Sequence, residues 1–163
     1  MIFEPQMEID WTPYQHRVIN GVNPYNLLSY WWSTKKAFGI ALDYYRAHNR
    51  EPEIMVKSRF DFCSTAFRMI NVPTLVIPME PYKVPANFHF REQFLNTQQD
   101  VICYGPMLAI ASYCSLIDNI PWLMSQPENL PFLSEHLLSA HLWSMEVPCY
   151  SHPMIMELIR EWL

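Results

Sequence analysis

A chain of 163 residues suits one domain with room for a real core. Half of its residues are hydrophobic and 15% are aromatic, but only 17% are charged, against roughly 25% in an average soluble protein. The net charge of −5 argues against a nucleic-acid binder, which needs many cations to replace the counterions on phosphates.

So few polar residues cannot cover the surface, and exposed apolar area is expected. Such patches mark binding surfaces. Charge is also uneven along the chain. Lys35 to Arg68 carries seven cations and four anions, whereas Glu92 to Leu163 carries eight anions and one cation, Arg160. The two ends can be ordinary solvated faces or complementary surfaces that attract one another between subunits. "MIFEPQMEID" has neither a cationic region nor a long apolar run, so secretion through a signal peptide is not expected. The four cysteines, at 63, 103, 114 and 149, show no C-x-x-C or zinc-ribbon spacing and are expected as free thiols in a reducing compartment.

Residues 1–23 hold Pro5, Trp11, Pro13 and Tyr14 and are expected as an extended arm, because proline fixes φ and removes a donor. Residues 24–163 form the globular domain. Asn23-Pro24 is a helix start, with Asn23 as cap. Leu27, Trp31, Phe38, Leu42 and Tyr45 fall on one helical face, and the helix is expected to end near His48-Asn49. "EIMVK" (53–57) is a short strand. "SRFD" (58–61) then reads as a capped helix start, with Phe60, Cys63, Phe67 and Ile70 as its stripe. "VPTLVIP" (72–78) is a second strand. Strand, crossover and strand suit a parallel, βαβ-like pair.

A proline-punctuated loop (80–90) and a helix (86–98) follow. Val101 to Ile117 carries no charge, yet Gly105-Pro106 splits it, and about 20 apolar residues are needed to span a membrane. The expectation is a core helix from Pro106, around which the others pack. "SEHLLSAHLWSME" (134–146) and "SHPMIMELIREWL" (151–163) read as two further helices, each opened by a serine cap. The class is α+β, mainly α-helical: helices around a central apolar helix, with a small sheet.

Three glycines form no phosphate-cradling pattern, and no nucleophile elbow or zincin motif is present. His136 and His141 lie five apart, about 140° around a helix, and need another element to share a metal. Glu135, His141 and His152 converge only if the fold brings them together. Cys63, near a helix start, is a nucleophile candidate with His48 or His89, but its place on an apolar stripe favours an inert thiol. The six tryptophans suit a core or a protein interface. No catalytic, cofactor-binding or metal-ligating residue is assigned, and no cofactor is expected.

The order helix, strand, capped helix, strand over residues 24–78, carried by "YYRAHNREPEIMVKSRFDF" and "NVPTLVIP", resembles modules of tailed-phage virion proteins. The resemblance covers about a third of the chain. It implies a structural role and carries over no site residue.

The expected function is therefore a non-enzymatic interaction subunit, a viral structural or accessory protein of the host cytoplasm or virion. Its partner is a protein or a second copy, not nucleic acid, and no membrane span is expected. The interface is placed at Trp11, Tyr14, Met154, Ile155, Leu158 and Trp162, where tryptophan anchors and methionine adapts. The alternatives are a phage protein that inhibits a host factor and a small Cys/His hydrolase or transferase.

Overall fold

The computed structural model describes residues 10, 12–17, 23–58, 62–63, 75–78, 102–126, 130–152 and 157–158. The chain is a mainly helical α+β fold. Its elements are α1 (Pro24–Ala47), β1 (Met55–Ser58), β2 (Phe62–Cys63), β3 (Leu75–Pro78), β4 (Ile102–Gly105), α2 (Met107–Cys114), α3 (Leu116–Ser125), α4 (Ser134–Ser144), β5 (Cys149–His152) and β6 (Glu157–Leu158).

The long helix α1 starts and stops where local chemistry dictates. The Asn23 side chain accepts the Tyr25 N–H at 3.0 Å, and Pro24 occupies the first turn. At the other end His48 caps the helix and Asn49 takes φ 49°, a left-handed conformation that asparagine tolerates. Ahead of α1, Thr12–Arg17 form a 3-10 helix inside the segment expected as an extended arm. The Asp10 carboxylate accepts the Thr12 N–H at 2.9 Å, and Pro13 presets φ for the turn. Hydrogen bonding from the Thr12 side chain, and then from this backbone N–H, lowers the Asp10 carboxyl from its usual value.

The main sheet has the order β1-β4-β3-β5. β4 is antiparallel to both β1 and β3, while β3 and β5 run parallel from Leu75↔Cys149 to Pro78↔His152. β1 and β3 therefore share a direction, as a βαβ-like unit requires, but β4 lies between them rather than the two pairing directly. The sequence expectation missed β4, a short apolar run closed by Gly-Pro.

Two expected helices are corrected. Ser58 ends β1 instead of capping a helix, and Phe62–Cys63 form a strand that pairs with Glu157–Leu158. The same pairing, with β5, replaces the helix expected over 151–163 at both of its described segments. Cross-strand pairing outweighs local capping patterns here: Phe62 stands opposite Leu158 and Cys63 opposite Glu157 in the antiparallel register. The helix expected over 86–98 lies outside the described residues.

The uncharged run resolves into β4, α2 and α3. No single helix among the described residues is long and apolar enough to cross a membrane, and α2 and α3 bend by 52° at Ser115. The break has local causes. The hydroxyls of Ser112 and Ser115 bond back to Leu108 and Ser112 carbonyls, which bends helices. Pro121 inside α3 removes a further backbone donor. α2 occupies the hub position, touching α1, α3, α4, β1 and β4, and it buries Ile110, Tyr113 and Cys114. Its enclosure is incomplete, since Leu108 is 76% exposed. α4 is more deeply enclosed, with every residue from His136 to Leu142 buried.

Candidate functional site

An open groove of about 850 Å³ runs between α1, β1 and the first turn of α4. Tyr30, Thr34 and Phe38 come from α1, Met55 and Lys57 from β1, and Glu135 from α4. β1 alternates, with Met55 and Lys57 turned inward and Val56 and Ser58 outward. That alternation carries Lys57 into an aromatic surround. Its Nζ donates to the Tyr30 hydroxyl and, at 3.5 Å, to that of Tyr113. It also sits 4.9 Å from the Tyr30 ring centre, 5.4 Å from that of Tyr113 and 6.0 Å from that of Trp31. Ring quadrupoles attract a cation at such distances. Sequence reasoning passed over Lys57. The available signal was a lysine two residues from Met55 on the inward side of a short strand.

The histidines of α4 serve the core. His141 is 1% exposed. Its Nε2–H donates to the Ser112 carbonyl at 2.6 Å, and Nδ1 accepts from the Asn119 amide at 3.1 Å. Asn119 also donates to the Ser144 hydroxyl. Ser115 lies 3.3 Å from His141 Nε2, but its own hydroxyl donates to the Ser112 carbonyl. An imidazole whose Nε2 carries the proton cannot accept one from Ser115, so this Ser-His-Asn set ties α4 to the bend between α2 and α3 and is not a nucleophilic triad. Burial lowers the pKa of His141, against opposing contributions from the Ser112 carbonyl and Asp118. Burial also pulls His136 down to about 4.

Cys103, Cys114 and Cys149 are free thiols. Burial pushes Cys114 up to about 12 and Cys149 to about 11, and Cys103 is raised well above its usual value. These three are poor nucleophiles. Cys63 sits in β2, so the helix-terminus argument for its activation falls away. Among the described residues no group of His, Cys, Asp and Glu could hold a metal ion. Glu135 lines the groove, whereas His141 is enclosed between α4 and the α2–α3 bend.

Of the residues assigned to an interface, Tyr14 is half-buried and stacks on the fully buried Phe132, with ring centres 5.6 Å apart. Leu158 pairs with Phe62. Trp11, Met154, Ile155 and Trp162 lie outside the described residues. Among the described residues, large apolar side chains are exposed on other elements. Ile40 is 71% exposed on α1, Tyr44 54%, and Val56 51% on β1. Trp122, Trp143 and Met145, at the α3–α4 side, are each about half exposed. α1 itself has no buried residue beyond Thr34.

These features define a helical α+β domain with an edge strand, an open groove and uncovered apolar side chains. Comparison of the chain with protein families, curated proteins and solved structures returns no match.

Proposed function

We propose that this chain is a non-enzymatic protein–protein interaction subunit. One observation carries the reading: the second half of α1 and the neighbouring β1 hold Ile40, Tyr44 and Val56 more than half exposed. Ile40 and Tyr44 lie four apart on one face of α1, and apolar groups gathered on an exposed face mark binding surfaces. β1 adds to this because it is an edge of the four-stranded sheet, and an edge strand offers backbone groups to a partner. A place among structural or accessory proteins of tailed phages rests on the resemblance over residues 24–78. Inhibition of a host factor uses the same surface. The hydrolase alternative gains nothing from two buried thiols and one half-buried thiol, all with raised pKa values, and a His141 committed to a backbone carbonyl.

A photo-crosslinking amino acid in place of Tyr44, introduced in the cell that makes the protein, tests the reading. The expected result is a discrete covalent protein adduct from position 44 and none from the same probe at Tyr25, on the first turn of α1. Absence of any adduct from position 44 contradicts the proposal.

A further inference from the structure

We infer that Ser112, Asn119, His141 and Ser144 form a proton-operated latch: with His141 neutral it fastens the last turn of α4 to the α2–α3 bend, and a proton on Nδ1 releases it. The inference is independent of the α1–β1 surface. It rests on where each hydrogen of the cluster must lie. A backbone carbonyl only accepts, so the 2.6 Å contact with the Ser112 oxygen puts a hydrogen on His141 Nε2. Nδ1 of the neutral ring is then an acceptor, and the Asn119 amide N–H fills it at 3.1 Å. The Ser144 hydroxyl donates to the His141 carbonyl at 2.8 Å. Toward Asn119 it can therefore only accept, and it takes an amide hydrogen at 3.1 Å. The orientation of the Asn119 amide is thus fixed from two sides.

This arrangement has no place for another proton. A proton on Nδ1 faces the Asn119 N–H, donor against donor. Turning the amide over presents its oxygen to Nδ1 but withdraws the N–H from Ser144, whose hydroxyl must then leave the His141 carbonyl. One proton therefore undoes both side-chain links from Asn119 of α3 to α4. The ring is 1% exposed, so water cannot solvate the new charge. At His141, α4 packs against α2 and α3. Among the described residues, α2 offers two titratable groups, Tyr113, whose hydroxyl accepts from Lys57, and Cys114, a buried thiol pushed up to about 12 and so uncharged. On α3, Asp118 favours a proton on His141, but Lys35 of α1 engages that carboxylate at 2.6 Å. On α4 itself, Glu135 and His136 lie in the first turn, at the opposite end of the helix from Ser144, and Glu146 follows the last turn. Burial outweighs Asp118 and keeps the ring neutral. Asn119 and Ser144 are only half-buried, which leaves solvent a route to deliver the proton.

Nitrogen-15 NMR of the histidine rings in the full chain, each assigned through its own backbone, tests this together with amide hydrogen exchange. At neutral pH His141 is expected as a neutral ring with its hydrogen on Nε2. As pH falls through the His141 titration, protection of residues 142–146 is expected to drop at least about tenfold while α1 keeps its protection, since local opening leaves the rest of the fold intact. Asn119→Asp sets a carboxylate opposite Nδ1 and is expected to raise the His141 titration by about one pH unit or more. A hydrogen on Nδ1 at neutral pH, a titration with no loss of protection, or an unmoved titration in a folded Asn119→Asp each overturns the latch. A loss shared equally by α1 also overturns it, because that marks unfolding of the whole domain. Where Asn119→Asp does not fold, the wild-type titration decides alone.

Discussion

Trp31→Ala is expected to cost about 3 to 5 kcal/mol, the range for deleting a fully buried aromatic ring. Against a total stability of roughly 5 to 15 kcal/mol for a domain, that loss is large. Trp31 has no exposed surface. Its ring meets Tyr30 edge-on at 5.2 Å and Tyr113 at 5.4 Å, and its indole N–H donates to the Ser134 hydroxyl. One side chain thus joins α1 to α2 and to the first turn of α4. Trp31→Phe keeps most of the volume and loses the hydrogen bond, so it is expected to cost about 1 to 3 kcal/mol. Urea unfolding of the two variants measures both. Equal stability of Trp31→Ala and wild type would show that α1 is not anchored at this point.

Acid is expected to destabilise the fold by roughly 3 kcal/mol through His136 alone. Burial pulls its folded-state pKa from 6.5 to about 4, and each unit corresponds to about 1.4 kcal/mol. The unfolded chain takes up a proton as pH falls through 6.5, while the folded chain refuses it until about 4. Stability is therefore full above about pH 6.5, declines between the two values and levels off below the lower one. His141 is shifted in the same direction by the same cause, so it adds to the decline. Urea unfolding from neutral pH down to about 4 follows the effect. In His136→Leu the slope across that window is expected to shrink. An unchanged slope would place the acid sensitivity elsewhere.

Local chemistry made some elements legible in the sequence. α1 was readable at both ends because Asn23-Pro24 and His48-Asn49 act within one turn of chain. The start of α2 at Pro106 was readable for the same reason. The α4 cap was not: Leu133 takes the cap position, and the Ser134 hydroxyl that looked like a cap accepts the Trp31 indole instead. The enclosure of α4 was equally hidden. Its serines and histidines suggest a half-polar helix, yet Ser139 bonds back to the Glu135 carbonyl and His141 to Ser112, so satisfied polar groups can lie inside. β2 and β6 depend on partners about a hundred residues apart, beyond the reach of any local pattern. The surface is the same kind of case. A shortage of charge foretold exposed apolar groups, but their positions on α1, β1 and the end of α4 are set by which faces the tertiary packing left uncovered.

The central claim is that the exposed apolar groups of α1 and β1 serve a partner and not the fold. Equilibrium urea unfolding of the chain carrying Ile40→Ser, Tyr44→Ser and Val56→Ser together, compared with wild type under conditions where both are monomeric, tests it most directly. The account predicts a change within about 0.5 kcal/mol per substitution, as for surface positions. A combined loss on the order of 5 kcal/mol or more, the scale of core truncations, would make these residues part of the chain's own core and contradict the account.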